Sequence, residues 1–257
     1  MANKTKMTEE KLQKAKNENA VVYKVMVALA LLCGALTGLR LLRAYYATIG
    51  GFEKLYPMTI WIAVGGLALF LIGAVLKLAV KQKVVQAVSP WLIAIAVLVC
   101  ATGVFMRLYW TEAFPSLYFL CCAFLLQYII FLLYRWEFFL FSLSTASTGF
   151  LFFQLSGGVE WTLLTILLLV IEAVILVGTF LAARLASGNK GMLIFGKKRI
   201  QLLPAKSNPV LIYLVDALWL VCVLVALLLG GLFAYYCMFA AIAVEFIAAV
   251  YYTFQLN

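Results

Sequence analysis

The fold this sequence predicts is all-α: a polytopic membrane helix bundle with eight transmembrane helices. Three observations predict it. Hydrophobic residues make up 67% of the 257, against 12% charged, and the mean hydropathy is +1.09. The apolar residues fall into eight consecutive runs, each near or above the ~20 residues that cross ~30 Å of hydrocarbon. Only two polar stretches of any length interrupt them, residues 1–20 and 187–208. Neither stretch is long enough to bury a core of its own. A water-soluble chain this apolar would aggregate, so residence in a bilayer is the expectation.

The leader, residues 1–20, sets Lys4, Lys6, Lys11, Lys14 and Lys16 against Glu9, Glu10 and Glu18. The first span follows at 21–46. Its apolar stretch runs past the length of a signal-peptide core and no small-residue cleavage site follows, so it reads as an uncleaved signal anchor. Spans at 57–80, 90–110 and 115–135 each open on a proline, Pro57, Pro90 and Pro115. Proline in the first helical turn costs nothing, because its missing N–H has no partner there anyway. A tight Arg135-Trp136-Glu137 connection leads to the fifth span at 138–156, and the sixth occupies 160–185. After 187–208 come 209–229 and 232–254, joined by Gly230-Gly231. The domain assignment is therefore a polar leader (1–20) and one eight-helix transmembrane domain (21–257) with a long cytoplasmic loop.

Orientation follows from lysine and arginine, which accumulate on the cytoplasmic side. With both termini cytoplasmic, 16 of the 20 basic residues lie inside, and only Arg40, Arg43, Lys54 and Arg107 lie outside. Tyr45, Tyr46, Tyr56, Trp61, Tyr109, Trp110 and Trp161 then form an outer aromatic belt. The expected location is the cell membrane. The basic and apolar clusters of the 187–208 loop suit the inner leaflet, where each cation gains about 1 kcal/mol from anionic headgroups. That loop is too short to read nucleic acid. The expected partners are the bilayer, its anionic lipids, and a second protein or further copies of the chain.

A repeat pattern accompanies this topology. Thr37-Gly38, Thr102-Gly103 and Thr148-Gly149 are each followed by a polar residue, Arg43, Arg107 or Gln154. Aromatic-proline pairs open two return helices, each with a basic residue 20 positions after the proline, Lys77 or Arg135. Composition alone can generate such a pattern, since these residues are common in membrane helices. Read as true repetition, it implies same-orientation helical hairpins related by an axis along the membrane normal.

Three acids carry the chemistry. Glu172 lies 12 residues past Glu160, Glu245 lies 14 past Gly231, and Asp216 lies 14 before Gly230. At 1.5 Å per residue these are matched depths of about 18–21 Å. An ionised carboxylate near mid-membrane costs at least about 2.5–3.5 kcal/mol, so such a residue normally faces the bundle interior or water. One reading is a shared proton, ion or substrate site lined by Ser144, Thr145 and Thr148. The other is structural: neutral acids bonded to Ser142, Ser144, Thr145, Ser147 or Thr148, or paired with Arg40 or Arg107. Arg40, Arg43 and Arg107 form an outer basic rim, either snorkelling to the interface or serving as an anion vestibule.

The chain has no histidine. That removes Ser-His, Cys-His and His-metal machinery, and no enzyme activity is expected. The six cysteines lack metal-type spacing and read as small apolar packing residues, so neither a metal nor a cofactor is expected. Two function classes remain. One is a small carrier with titratable carboxyls in its core. The other is a non-catalytic membrane subunit or scaffold of a larger complex.

Overall fold

A computed structural model describes residues 2–79, 82–110, 113–188, 191–195, 198–201, 203 and 209–254. It is all-helical but for one short hairpin. The elements are α1 (Ala2–Tyr46), α2 (Ile49–Ala79), α3 (Lys83–Tyr109), α4 (Ala113–Leu133), α5 (Trp136–Ser156), α6 (Leu163–Gly188), β1 (Met192–Phe195), β2 (Lys198–Gln201), α7 (Val210–Leu229) and α8 (Gly231–Phe254). Eight helices are long and apolar enough to cross a membrane. In α1 the polar leader continues the first span without a break, and its span-length part is Asn19–Tyr46. Much of the expected cytoplasmic loop lies outside the described residues. Within the rest, β1 and β2 pair antiparallel, Met192 opposite Gln201 and Phe195 opposite Lys198.

The chain divides into two compact units, Met1–Leu125 and Leu126–Asn257. In the first, α2 and α3 pack along much of their lengths. A methyl group added at Gly66 would sit 2.4 Å from the Cys100 amide nitrogen, and one at Gly103 would sit 2.5 Å from that of Ala63. The two backbones therefore touch where side chains are missing, as small residues allow in membranes.

Two of the helix starts read from prolines differ from the sequence reading. The Thr48 hydroxyl accepts the Gly51 N–H at 3.1 Å, so α2 begins at Ile49 and Pro57 falls inside it. Capping by a threonine hydroxyl stabilises that earlier start, and Pro57 then removes one bond within the helix. Pro90 likewise lies in the interior of α3, which begins at Lys83. Pro115, by contrast, does occupy the first turn of α4. Near the α1–α2 and α3–α4 turns, the rings of Tyr46, Phe52, Tyr56, Trp110 and Phe114 form a cluster with centroids 4.8–6.5 Å apart. The Tyr46 hydroxyl closes it by donating to the Met106 carbonyl at 3.3 Å.

The second unit is built around α5. Of its 18 most apolar consecutive residues, 61% are buried, against 11–33% for the corresponding stretches of the other seven spans. It packs on α6, α7 and α8. Phe138, Leu151, Phe152, Leu155, Trp219 and Ala234 form the centre of the core. The start of α6 falls at Leu163, not 160, because the Thr162 hydroxyl caps it by accepting the Thr165 N–H at 3.2 Å. Gly230 and Gly231 divide the work of the α7–α8 turn. Gly230 takes φ +87°, which favours glycine. Gly231 lies so close to α5 that an added methyl would meet the Ser156 carbonyl at 2.8 Å.

Candidate functional site

Hydroxyl side chains bring α5 its chemistry. At 100° per residue, Ser144, Ser147 and Thr148 share one stripe, Ser142 lies on a second about 160° from Ser144, and Thr145 stands between them, about 60° from both Ser142 and Thr148. Hydroxyls can live inside a helix by donating back to a carbonyl three or four residues earlier. Ser144 does so to Phe141 at 3.0 Å, Ser147 to Ser144 at 3.0 Å, and Thr148 to Ser144 at 2.7 Å. Their oxygens remain available to neighbouring helices.

Along the first stripe lie two of the three acids. Glu172 on α6 is 4% exposed, and its Oε1 is hydrogen-bonded to the Thr148 hydroxyl, with Ser147 beside it. Asp216 on α7 is 5% exposed, and its Oδ2 lies 2.9 Å from the Thr179 hydroxyl of α6, with Ser144 beside it. The two carboxyls are close enough to act on each other electrostatically.

Glu245 belongs to the second stripe. The Ser142 hydroxyl donates to its Oε1 and itself accepts from Gln127 Nε2 of α4 at 2.7 Å. Ser142 and Ser144 point about 160° apart around α5, so the helix stands between Glu245 and the other two acids. Thr145, between the two stripes, accepts the Trp219 indole N–H at 3.1 Å. The shared site of three carboxyls thus becomes a pair, Glu172 with Asp216, and a separate Gln127–Ser142–Glu245 chain. Residue counting along the helices had matched all three. Rotation about each helix axis separated them.

Among the described residues, four buried polar atoms of this unit have no partner: Asp216 Oδ1, Glu245 Oε2, Gln127 Oε1 and Gln154 Nε2. Buried polar atoms are normally paired, so these four stand out from the rest of the unit. Three participants were missed in the sequence. Thr179 follows Glu172 by seven residues, two helical turns, and so lies on the same face. Trp219 stands three after Asp216. Both spacings were readable, whereas nothing in the sequence marks Gln127 as the partner of Ser142.

The basic rim takes a different form. Arg40 and Arg43 are exposed on α1. The Arg107 guanidinium lies over the Tyr56 ring, 3.9 Å from its centroid, and donates to the Tyr56 carbonyl at 3.4 Å. Such a cation–ring contact gives about 0.5–2 kcal/mol. The three acids meet hydroxyls of their own unit.

The eight long apolar helices among the described residues are compatible with a multi-pass integral membrane protein. No protein-family model matches the chain, and comparison with curated proteins and with solved structures likewise gave no match.

Proposed function

We propose that this chain is a small membrane carrier whose working site is the Glu172–Asp216 pair on the first stripe of α5. One observation carries the reading. Two carboxyls, each more than nine-tenths buried in the membrane-spanning part, are met among the described residues by hydroxyls and by no cation. A helix contact needs only a hydroxyl or an amide, and a carboxyl there carries a cost of a few kcal/mol whenever it ionises. What a carboxyl adds is the ability to change charge. We place the chain in the cell membrane with both termini cytoplasmic, its basic 187–208 segment on anionic lipid. We read it as non-enzymatic.

Proteoliposomes loaded with a pH-sensitive dye test the proposal under an imposed potassium diffusion potential. Glu172→Gln and Asp216→Asn are each expected to lower proton movement at least tenfold while leaving insertion intact. Parent-like flux in both variants sinks the carrier reading. Glu245→Gln measures whether the second stripe takes part: a comparable loss there extends the site across both faces of α5.

One observation favours a second reading, a non-catalytic subunit. The span of α1 is the least buried of the eight, at 11%, and leaves most of its apolar surface free for lipid or for the helices of another protein. Mild-detergent purification distinguishes the two. A stoichiometric partner whose removal destabilises α1 supports the subunit, and full flux from the chain alone supports the carrier.

A further inference from the structure

On the first stripe of α5, hydroxyl hydrogens are scarcer than the acceptors around them. A threonine hydroxyl has one hydrogen and two lone pairs, while a carbonyl or an ionised carboxylate can only accept. Thr148 Oγ1 lies 2.7 Å from the Ser144 carbonyl and also contacts Glu172 Oε1. Thr179 Oγ1 lies 3.0 Å from both the Ile175 and Leu176 carbonyls and 2.9 Å from Asp216 Oδ2. With ionised acids, each threonine would face acceptors on both sides with a single hydrogen. One hydrogen is missing at each.

A second observation points the same way. Asp216 is 5% exposed, and its Oδ1 is buried with no hydrogen-bond partner among the described residues. Leaving a charged group without donors is costlier than leaving a neutral carbonyl so. A carboxyl with its hydrogen on Oδ2, aimed at Thr179, leaves Oδ1 as that neutral carbonyl.

We infer that Glu172 and Asp216 form a two-proton binding site, each donating its hydrogen to a threonine hydroxyl that in turn donates to backbone. The structure is the loaded state. On release, each acid O–H bond breaks and its proton departs to water. The threonine O–H then turns from the backbone carbonyl to the carboxylate. Nothing else is made or broken. The turn leaves little unsatisfied, because the Ser144 carbonyl still accepts from Ser147 at 3.0 Å. The charge-assisted bond that forms is roughly twice as strong as a neutral one. Thr148 and Thr179 are therefore positioning residues that stabilise both states of the acids.

Of the other charged groups of the second unit, five lie elsewhere, and the Tyr213 phenol stands one helical turn before Asp216 on α7. Glu245 lies across α5, Glu137 accepts from Tyr252 at 3.3 Å, and Arg135, Glu160 and Arg184 are exposed. The inference deepens the carrier reading, on which it rests for the use made of the protons. The count of hydrogens stands without it.

Infrared difference spectroscopy of the full chain in lipid at neutral pH is the test, reading the C=O stretch of uncharged carboxyl groups. Two of the parent's bands should vanish, one in Glu172→Gln and the other in Asp216→Asn. Thr148→Val should shift the Glu172 band and Thr148→Ser should restore it. Thr179→Val makes the same test on Asp216 should Thr148→Val fail to fold. Carboxylate bands alone at these positions, or bands that ignore both valine substitutions, overturn the inference. Neutral bands without proton flux defeat the carrier reading and leave the proton site standing. Flux in a parent that lacks those bands does the reverse.

Discussion

The two units hold their helices together by different means. In the first, α2 and α3 approach backbone to backbone at Gly66 and Gly103, and a ring cluster closes one end. In the second, polar bonds cross between helices: Thr148 to Glu172, Thr179 to Asp216, Ser142 to Glu245 and Trp219 to Thr145. Lipid tails are as apolar as leucine, so burying apolar surface draws membrane helices together far less than it would in water. Close packing and polar bonding are what remain. The least apolar of the eight spans, α5, is accordingly the most buried, the inverse of a soluble core. Only the second device places groups that can exchange protons, and for that reason the candidate chemistry gathers in the second unit.

The largest expected effect comes from the place where both devices meet. Trp219 is 2% exposed, bonds Thr145 and packs its ring on Phe152 at 6.2 Å. Trp219→Ala opens a cavity and strips Thr145 of its donor, and should destabilise the second unit by about 3–5 kcal/mol. Equilibrium unfolding in micelles measures it, and a loss under ~1 kcal/mol breaks the claim that α5 is the core.

Next is Gly103→Ala, whose methyl has no room against α2. It should cost about 1–3 kcal/mol by overpacking, with the loss confined to the first unit in hydrogen exchange. The paired control is Gly38→Ala, the same Thr-Gly motif on α1, where an added methyl meets nothing within 4 Å. That change should be neutral or stabilising by up to ~1 kcal/mol, from helix propensity alone. Equal losses at both glycines would show that the α2–α3 approach is not special.

Smallest is Ser142→Ala. Interhelical hydrogen bonds in membranes average about 0.6 kcal/mol and reach about 1.7, and Ser142 joins two of them. A loss of about 1–2 kcal/mol is expected from steric-trap unfolding, with proton flux retained at half the parent rate or more. A flux loss as deep as that of Glu172→Gln would merge the two stripes into one site.

The three Thr-Gly pairs show how far a motif can be read. Thr37, Thr102 and Thr148 all donate to the carbonyl four residues earlier, at 2.7 Å, so the local geometry is common to them. Their surroundings are not. Thr37 is exposed, Thr102 half-buried and Thr148 buried against an acid. The same letters thus give one local bond and three different tertiary environments.

By itself the sequence determined the eight spans, the hydroxyl-rich character of α5 and the position of each acid along its helix. These are one-dimensional properties: hydropathy over a window, and residues counted at a fixed rise along an axis. Even there, proline spacing misplaced two helix starts. Thr48 capped α2 ahead of Pro57, and α3 carried Pro90 in its interior. Tertiary structure alone decided that α5 is central, that Thr179 serves Asp216 and that Glu245 turns to Ser142. The reason is rotational. Counting residues fixes how far along its helix a side chain lies but leaves open the azimuth of that helix. That angle is set by which neighbours offer a hydrogen-bond partner or a glycine-lined surface in a medium that offers neither.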